Sequence, residues 1–234
     1  MTANFGVVDM TVDFYQIDVE DRTYAISTLN VSTDPADADA FTNYQALVNA
    51  GVVGAETIGG VFYFTNAFDT VTKGVDLVVT YPVDWDNGST TAFTASLNYN
   101  ESEFDSDPSA FLNAEDQFDF ENDEPKVRGV LTARHTQDNF SLMVRGNYYG
   151  SYENSNNNGS PLRIQEFDPI LLIDLEGKYL FNDTLSLALG GRNVFDKYPE
   201  KDAISDFCCG RLYSSGTLVS WQGAYYYARL NVDF

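Results

Sequence analysis

Side chains able to do chemistry are few and poorly grouped. His135 is the only histidine, so a multi-histidine metal site is excluded, and no motif sets a nucleophile beside it as a triad requires. The only cysteines are the adjacent pair Cys208 and Cys209. Sequence neighbours rarely bridge each other, because the ring strains the intervening peptide, and no second pair completes a zinc set. They read as two small hydrophobes in a loop. No glycine-rich loop leads into a helix to cradle a phosphate. Acids are plentiful, with ten between Glu101 and Glu124. Asp105 and Asp107 are spaced to open an EF-type calcium loop, but Ala110 stands where the turn needs glycine and Asp116 where glutamate is preferred. The segment therefore reads as a solvated acidic loop. Two carboxylates at glycosidase spacing have no motif behind them. Tyr213, Ser214, Ser215 and Trp221 form an aromatic and hydroxyl-rich segment, suited equally to ligand capture and to packing of the loop on itself. The chain reads as no enzyme, with no cofactor and no resident metal.

Composition narrows the class. The formal charge is -22 over 234 residues, so the chain is repelled by nucleic acid and by anionic lipid surfaces. Hydrophobic residues make up 44% and aromatics 15%, too apolar for a solvated tail. Mean hydropathy is nevertheless -0.25, and no run approaches the ~18 apolar residues of a spanning helix. Aromatic richness without long apolar runs is what alternating strands produce. Met1-Thr2-Ala3-Asn4-Phe5 has neither a basic segment nor an apolar one, so it is no signal peptide. The reading is that residue 1 is not the natural start.

The elements that position these residues follow a period of two, in eight runs. The first alternates Val8, Met10, Val12 and Phe14 with Asp9, Thr11 and Asp13. The second sets Val75, Leu77, Val79, Tyr81 and Val83 against Asp76, Thr80 and Pro82. The third puts Phe93, Ala95, Leu97 and Tyr99 on one face. The fourth covers residues 126–135, with Val127, Leu131 and Ala133 against Arg128, Thr132 and Arg134. The fifth sets Leu142, Val144 and Tyr148 against Ser141, Arg145 and Asn147. The sixth runs Phe167, Leu171, Ile173, Leu175 and Tyr179, the seventh Leu185, Leu187 and Leu189, and the eighth Tyr226, Ala228, Leu230, Val232 and Phe234. Each is near the ~9–11 residues that cross a bilayer when tilted.

Connections alternate in length. Short ones at 86–89, 137–139 and 182–183 carry hairpin-turn residues. Long ones cover roughly 19–60, 102–124, 152–164 and 196–223. Asn43 to Val52 has helical spacing, with Tyr44, Leu47 and Val48 on a stripe and Gly51 placed to end it. Charged residues at mid-strand on the polar face suit a wide lumen. Aromatics cluster at the run ends, Trp85, Phe140, Phe181 and Phe234 on the short-turn side, Tyr99, Tyr148, Phe167 and Tyr226 on the other, as two lipid interfaces require. The fold class expected is all-β: an antiparallel transmembrane barrel segment of about eight strands, with long extracellular loops and short periplasmic turns.

Four stretches resemble one family. VDFYQIDVEDR (Val12 to Arg22), FTNAFDTVTKGVDL (Phe64 to Leu77), GGRNVFDKYP (Gly190 to Pro199, with Val194 at a position the family fills with Leu) and the final YARLNVDF resemble, in order and spacing, the C-terminal third of TonB-dependent outer-membrane receptors. The resemblance implies a 22-strand barrel with a plugged lumen, of which residues 1–234 are the C-terminal portion, the plug and the N-terminal strands being absent. It implies a setting in the bacterial outer membrane and energised uptake of a scarce nutrient, a ferric siderophore first, cobalamin or a glycan otherwise. The implied partners are outer-membrane lipid, the barrel-assembly machinery, the receptor's own plug and the TonB complex. Tyr226, Ala228, Leu230, Val232 and Phe234 share one face of the last run and resemble the C-terminal signal read during barrel assembly. An exposed edge strand offers unpaired backbone, and alternate side chains supply specificity. Two other readings stay open: a complete eight-stranded barrel closing alone, and a secreted acidic β-sandwich that binds glycans.

Overall fold

The computed structural model describes residues 2–155, 159–203, 211–214 and 216–233. In chain order the elements are β1 (Thr2–Phe5), β2 (Val8–Ala25), β3 (Leu29–Asn30), α1 (Ala38–Asn49), a 3-10 turn (Ala55–Thr57), β4 (Gly60–Val61), β5 (Phe64–Asp84) and β6 (Thr90–Phe104). There follow α2 (Ala114–Asn122), β7 (Val127–Gln137), β8 (Phe140–Tyr149), β9 (Tyr152–Ser155), β10 (Ile164–Phe167), β11 (Ile170–Leu180), β12 (Leu185–Arg192) and β13 (Tyr225–Val232). One nine-stranded sheet, in the order β1-β2-β5-β6-β7-β8-β11-β12-β13, holds all eight anticipated runs as antiparallel sequence neighbours. The ninth strand is the short β1. With β1 and β13 as its edges the sheet is open, so these strands do not close a small barrel by themselves. A two-layer sandwich is ruled out too, because Val79 and Ile173 lie on one face of one sheet.

Register explains the two faces. Leu77 stands opposite Leu97, Leu97 opposite Gly129, and Gly129 opposite Tyr148. Ala95, Leu131, Gly146 and Ile173 form the next row. Every pair in a pleated ladder shares a face, so the apolar residues of the eight runs form one apolar surface. Leu131 is 57% exposed and Leu230 is 62% exposed, an arrangement water does not favour and lipid does. Leu77, Val79, Ile173 and Leu187 lie on the same face, half-covered by cross-strand neighbours. The opposite face carries Asp76, Asn98, Arg128, Asn147 and Asp174.

Four short turns lie at one end of the sheet and four long connections at the other. At the short end Asn87 Oδ1 accepts from the Ser89 amide at 3.1 Å, and Asn182 Oδ1 accepts from the Leu185 amide at 2.8 Å. Asp138 takes a left-handed φ of 50° in its two-residue turn. The first two long strands extend beyond the anticipated runs. β2 is 18 residues and β5 is 21, so the first loop is 26–63 rather than 19–60. A bulge at Val19–Thr23 lets the ladder continue. Above the bilayer both faces meet polar surroundings, so the apolar alternation that marks a strand disappears while its pairing does not.

Other boundaries moved as well. The helix expected at 43–52 is α1, Ala38–Asn49, opened by Asp37 accepting from the Ala40 amide at 3.3 Å. Gly51, with φ 78°, follows its end. Phe167 is no girdle residue. It is 2% exposed and stacks on Tyr152 with ring centroids 4.6 Å apart, because Pro169 separates β10 from β11.

Candidate ligand site at the long-loop mouth

The acidic segment expected to be a solvated loop is partly the helix α2. Asn113 caps it, accepting from the Asp116 amide at 2.9 Å, and Glu115 and Asp116 occupy the first turn, where the helix dipole favours anions. An asparagine three residues before an acid was the readable signal. Phe120 fixes the helix to the sheet. Its ring lies 4.5 Å from Phe104 and 5.9 Å from both Phe68 and Tyr24, with the Arg22 guanidinium 5.4 Å above it. Arg22 also donates to Thr70 Oγ1 at 3.1 Å. The first loop is tied in where the Ser27 amide donates to Phe111 O at 3.0 Å and the Asn113 amide to Ser27 Oγ at 2.9 Å, with Ser27 Oγ also hydrogen-bonded to Asp116.

α2 in turn holds the third loop. Asp119 Oδ1 accepts from the Ser155 amide at 2.7 Å, and Asp123 pairs with Asn154 while its carboxylate lies against Gly216. Burial drives the Asp119 pKa up to about 7; the Ser155 N–H opposes this and the charges of Asp123, Glu115 and Asp116 reinforce it. Burial also raises Asp123 to about 6, opposed by Asn154 and reinforced by Glu124 and Asp202.

Two recesses lie on either side of this helix and hairpin. One, about 640 Å³, is lined by Glu101, Asp116, Asp119, Glu121, Asp123 and Glu124 against Arg22 and Lys126. The other, about 340 Å³, is aromatic and apolar, with Tyr149, Tyr152, Phe167, Ile170, Tyr198 and Leu218 in its walls. Such a pocket, with a few polar groups at its rim, is the usual form of a small-molecule site. Tyr213 and Trp221 pack on each other at 6.3 Å, which is the self-packing role allowed for that loop. Asp105 and Asp107 do not converge on a site, since Asp107 accepts from the Ser109 amide of its own turn at 2.9 Å. Among the described residues no group of three or more His, Cys, Asp or Glu is arranged to hold a metal ion. His135 sits at the opposite, short-turn end, its Nδ1 2.9 Å from Thr91 Oγ1, which also accepts from Trp85 Nε1 at 2.8 Å. Cys208 and Cys209 lie outside the described residues.

The motifs that carried the resemblance prove to be joinery. Gly74 stands opposite Tyr15, and a Cβ there would be 2.2 Å from the tyrosine ring. Asp76 accepts from Asn98 Nδ2 at 2.7 Å. Gly190 is likewise covered by Tyr227, 2.5 Å from where a Cβ would be. Asn193, at φ 49°, donates to Lys197 O at 2.6 Å and accepts from its amide at 3.0 Å. Asp196 Oδ1 accepts from the Ala224 amide at 2.8 Å, fastening the fourth loop. β13, which carries Tyr226, Ala228, Leu230 and Val232, is an edge strand paired only with β12, and these four residues lie on its apolar face. Phe234 lies outside the described residues.

The family model for "TonB dependent receptor-like, beta-barrel" matches residues 2–194. The chain belongs to this family. Its members are outer-membrane receptors and transporters, which implies the bacterial outer membrane as its setting and makes the polar face the lumenal one. Solved structures agree in fold. The ferric enterobactin receptor PfeA (G324V mutant) from Pseudomonas aeruginosa superposes with a TM-score of 0.61 at 15% identity, over 100% of this chain and 30% of that one. The FrpB iron transporter of Neisseria meningitidis gives 0.61 at 14%, over 100% and 30%. The copper transporter OprC gives 0.59 at 15%, again over 100% and 30%. The chain thus spans about a third of the length of these relatives. No curated protein sequence matches it.

Proposed function

We propose that residues 1–234 are the C-terminal portion of a receptor that takes up a scarce nutrient across the outer membrane, energised through TonB, and that its cargo is a ferric siderophore. The observation that carries this is the aromatic recess at the long-loop end, between Tyr152–Phe167 and Tyr198, beside the acidic one. A chelate offers flat or apolar ligand groups that fill such a recess and displace its poorly held water. The neighbouring carboxylates disfavour a polyanion, so the chelate that fits is neutral or cationic. Relatives of the same fold include receptors named for ferric enterobactin and for pyoverdine. The chain reads as transport machinery and not as an enzyme.

The test is uptake of radioactive iron by iron-starved cells that carry the full-length receptor as their only route, supplied with a panel of ferric siderophores of differing charge. Tyr152→Ala with Phe167→Ala is expected to lower uptake at limiting chelate without lowering the amount of folded receptor. Uptake of no ferric chelate in the panel would overturn the cargo assignment.

A further inference from the structure

Cations are scarce in this chain, 13 Lys and Arg against 35 Asp and Glu, yet four arginines gather on one stretch of the lumenal wall. Arg134, Met143, Glu176, Gly190 and Tyr227 are successive partners in a single row across five strands. Arg145, opposite both Thr132 and Asp174, and Arg192, opposite Tyr225, lie on one side of that row; Arg229, opposite Ala188, lies on the other. The four arginines line a polar recess of about 240 Å³.

Few of these charges are matched within the wall. Glu176 Oε2 takes Arg229 Nη2 at 3.1 Å and the Tyr227 hydroxyl at 2.7 Å. Asp174 is occupied by Asn147 at 3.0 Å and the Asn193 amide at 2.9 Å. Arg145 Nε donates to neutral Thr132 at 3.3 Å. Among the described residues Arg134 and Arg192 close no ion pair. The other side of the same face is opposite in sign: β2 and β5 bring Asp9, Asp13 and Asp76 to it, and their only membrane-side cation, Lys73, is on the apolar-face register.

We propose that this arginine patch seats a carboxylate-bearing face of a polypeptide domain lodged in the lumen of the full-length receptor. The proposal rests on the receptor reading above and gives it an orientation: the lodged domain turns its acidic side to β7–β13. Three observations select this partner. Guanidinium forks match carboxylates bidentately, and unpaired ones side by side repel until an anion arrives. The patch spans five strands, about 20 Å at ~4.8 Å per strand, broader than one small chelate. A polyanionic cargo would have to pass the six carboxylates of the mouth recess, which repel it, so the matching carboxylates come from within. Relatives of this fold have room for such a domain, the matched portion being 30% of the PfeA chain.

The experiment uses full-length receptor in planar bilayers, with ion conductance followed as urea is raised, at low and high salt. Wild type is expected to be closed without urea and to open at lower urea when salt is high, because salt screens the contact. Arg134→Gln with Arg192→Gln is expected to open at lower urea than wild type and to lose most of the salt dependence. Arg134→Lys with Arg192→Lys is expected to fall between, keeping charge without the fork. Wild-type opening that ignores salt, or Gln variants that open like wild type, would overturn the seat and leave the receptor reading standing. A wild-type receptor that conducts freely without urea would sink the receptor reading itself. Gln variants that open like wild type but lose ferric chelate binding would assign the patch to cargo and reject the lodged domain.

Discussion

The two ends of this sheet are held by different means. At the short-turn end closure is local: Asn87, Asp138 and Asn182 complete turns whose partners lie within three residues. At the long-loop end the contacts join distant segments, Ser27 to Asn113, Asp119 to Ser155 and Asp196 to Ala224. The short turns need only fix register, because membrane-side strands already have lipid on one face. The mouth has no lipid to organise it, and it builds its own core from Phe68, Phe104 and Phe120 under a helix. One end is therefore a product of sequence neighbours, the other of packing.

The largest expected effect lies at the short-turn end, where β13 finishes. If the apolar edge of β13 with Phe234 is read during assembly, Phe234→Ala leaves the full-length receptor out of the membrane, whereas Phe181→Ala, changing an exposed aromatic of the neighbouring turn, does not. Heat-modifiable, folded receptor in outer-membrane fractions measures this, and equal levels of both variants would refute the signal.

Next comes the wall between the two ends. Leu131→Arg, on the apolar face at mid-strand, is expected to cost ~2–4 kcal/mol in unfolding from bilayers, and Ser96→Arg on the lumenal face much less. Equal costs would mean the faces are assigned wrongly. At the mouth, Phe120→Ala is expected to cost about 2 kcal/mol, below the usual range for a fully buried phenylalanine because this ring is half-covered. Hydrogen exchange should show the loss in α2 and at Ser155 while the β7–β8 ladder keeps its protection; a loss spread over the whole sheet would erase the distinction between the ends. At the turns, Asn182→Ala removes the acceptor for the Thr184 and Leu185 amides and is expected to cost about 1 kcal/mol of global stability, with α2 unaffected.

The smallest effect is a pH dependence confined to the mouth. Asp119 and Asp123 have pKa values raised to about 7 and about 6, so the folded mouth binds these protons more tightly than the unfolded chain. That contribution is full below the ordinary carboxylate range and is lost as pH rises through about 6 and then about 7. Protection of the Ser155 amide should therefore fall between pH 5 and 8, corrected for intrinsic exchange, and Asp119→Asn should flatten the upper part of that fall. The short turns carry no such group and should show no matching trend.

What sequence alone determined about this protein is the wall. Alternation from Val75 to Val83 or Leu185 to Leu189 states which residues share a face, because a strand's geometry has a period of two whatever surrounds it. Turn residues state where the chain reverses, and the lone His135 and the scattered acids exclude most catalysis. The motif glycines were legible as a resemblance, but their reason, a tyrosine from the next strand lying over Gly74 and Gly190, is a cross-strand fact. Tertiary structure decided the mouth. The extension of β2 to Ala25 has no apolar alternation to announce it, since its pairing is with backbone that is remote in sequence. The burial of Phe167, and of the acids of α2, depends on loops that meet only in three dimensions. A side chain's period is set by its own strand, but its burial and its pKa are set by whatever the fold brings against it.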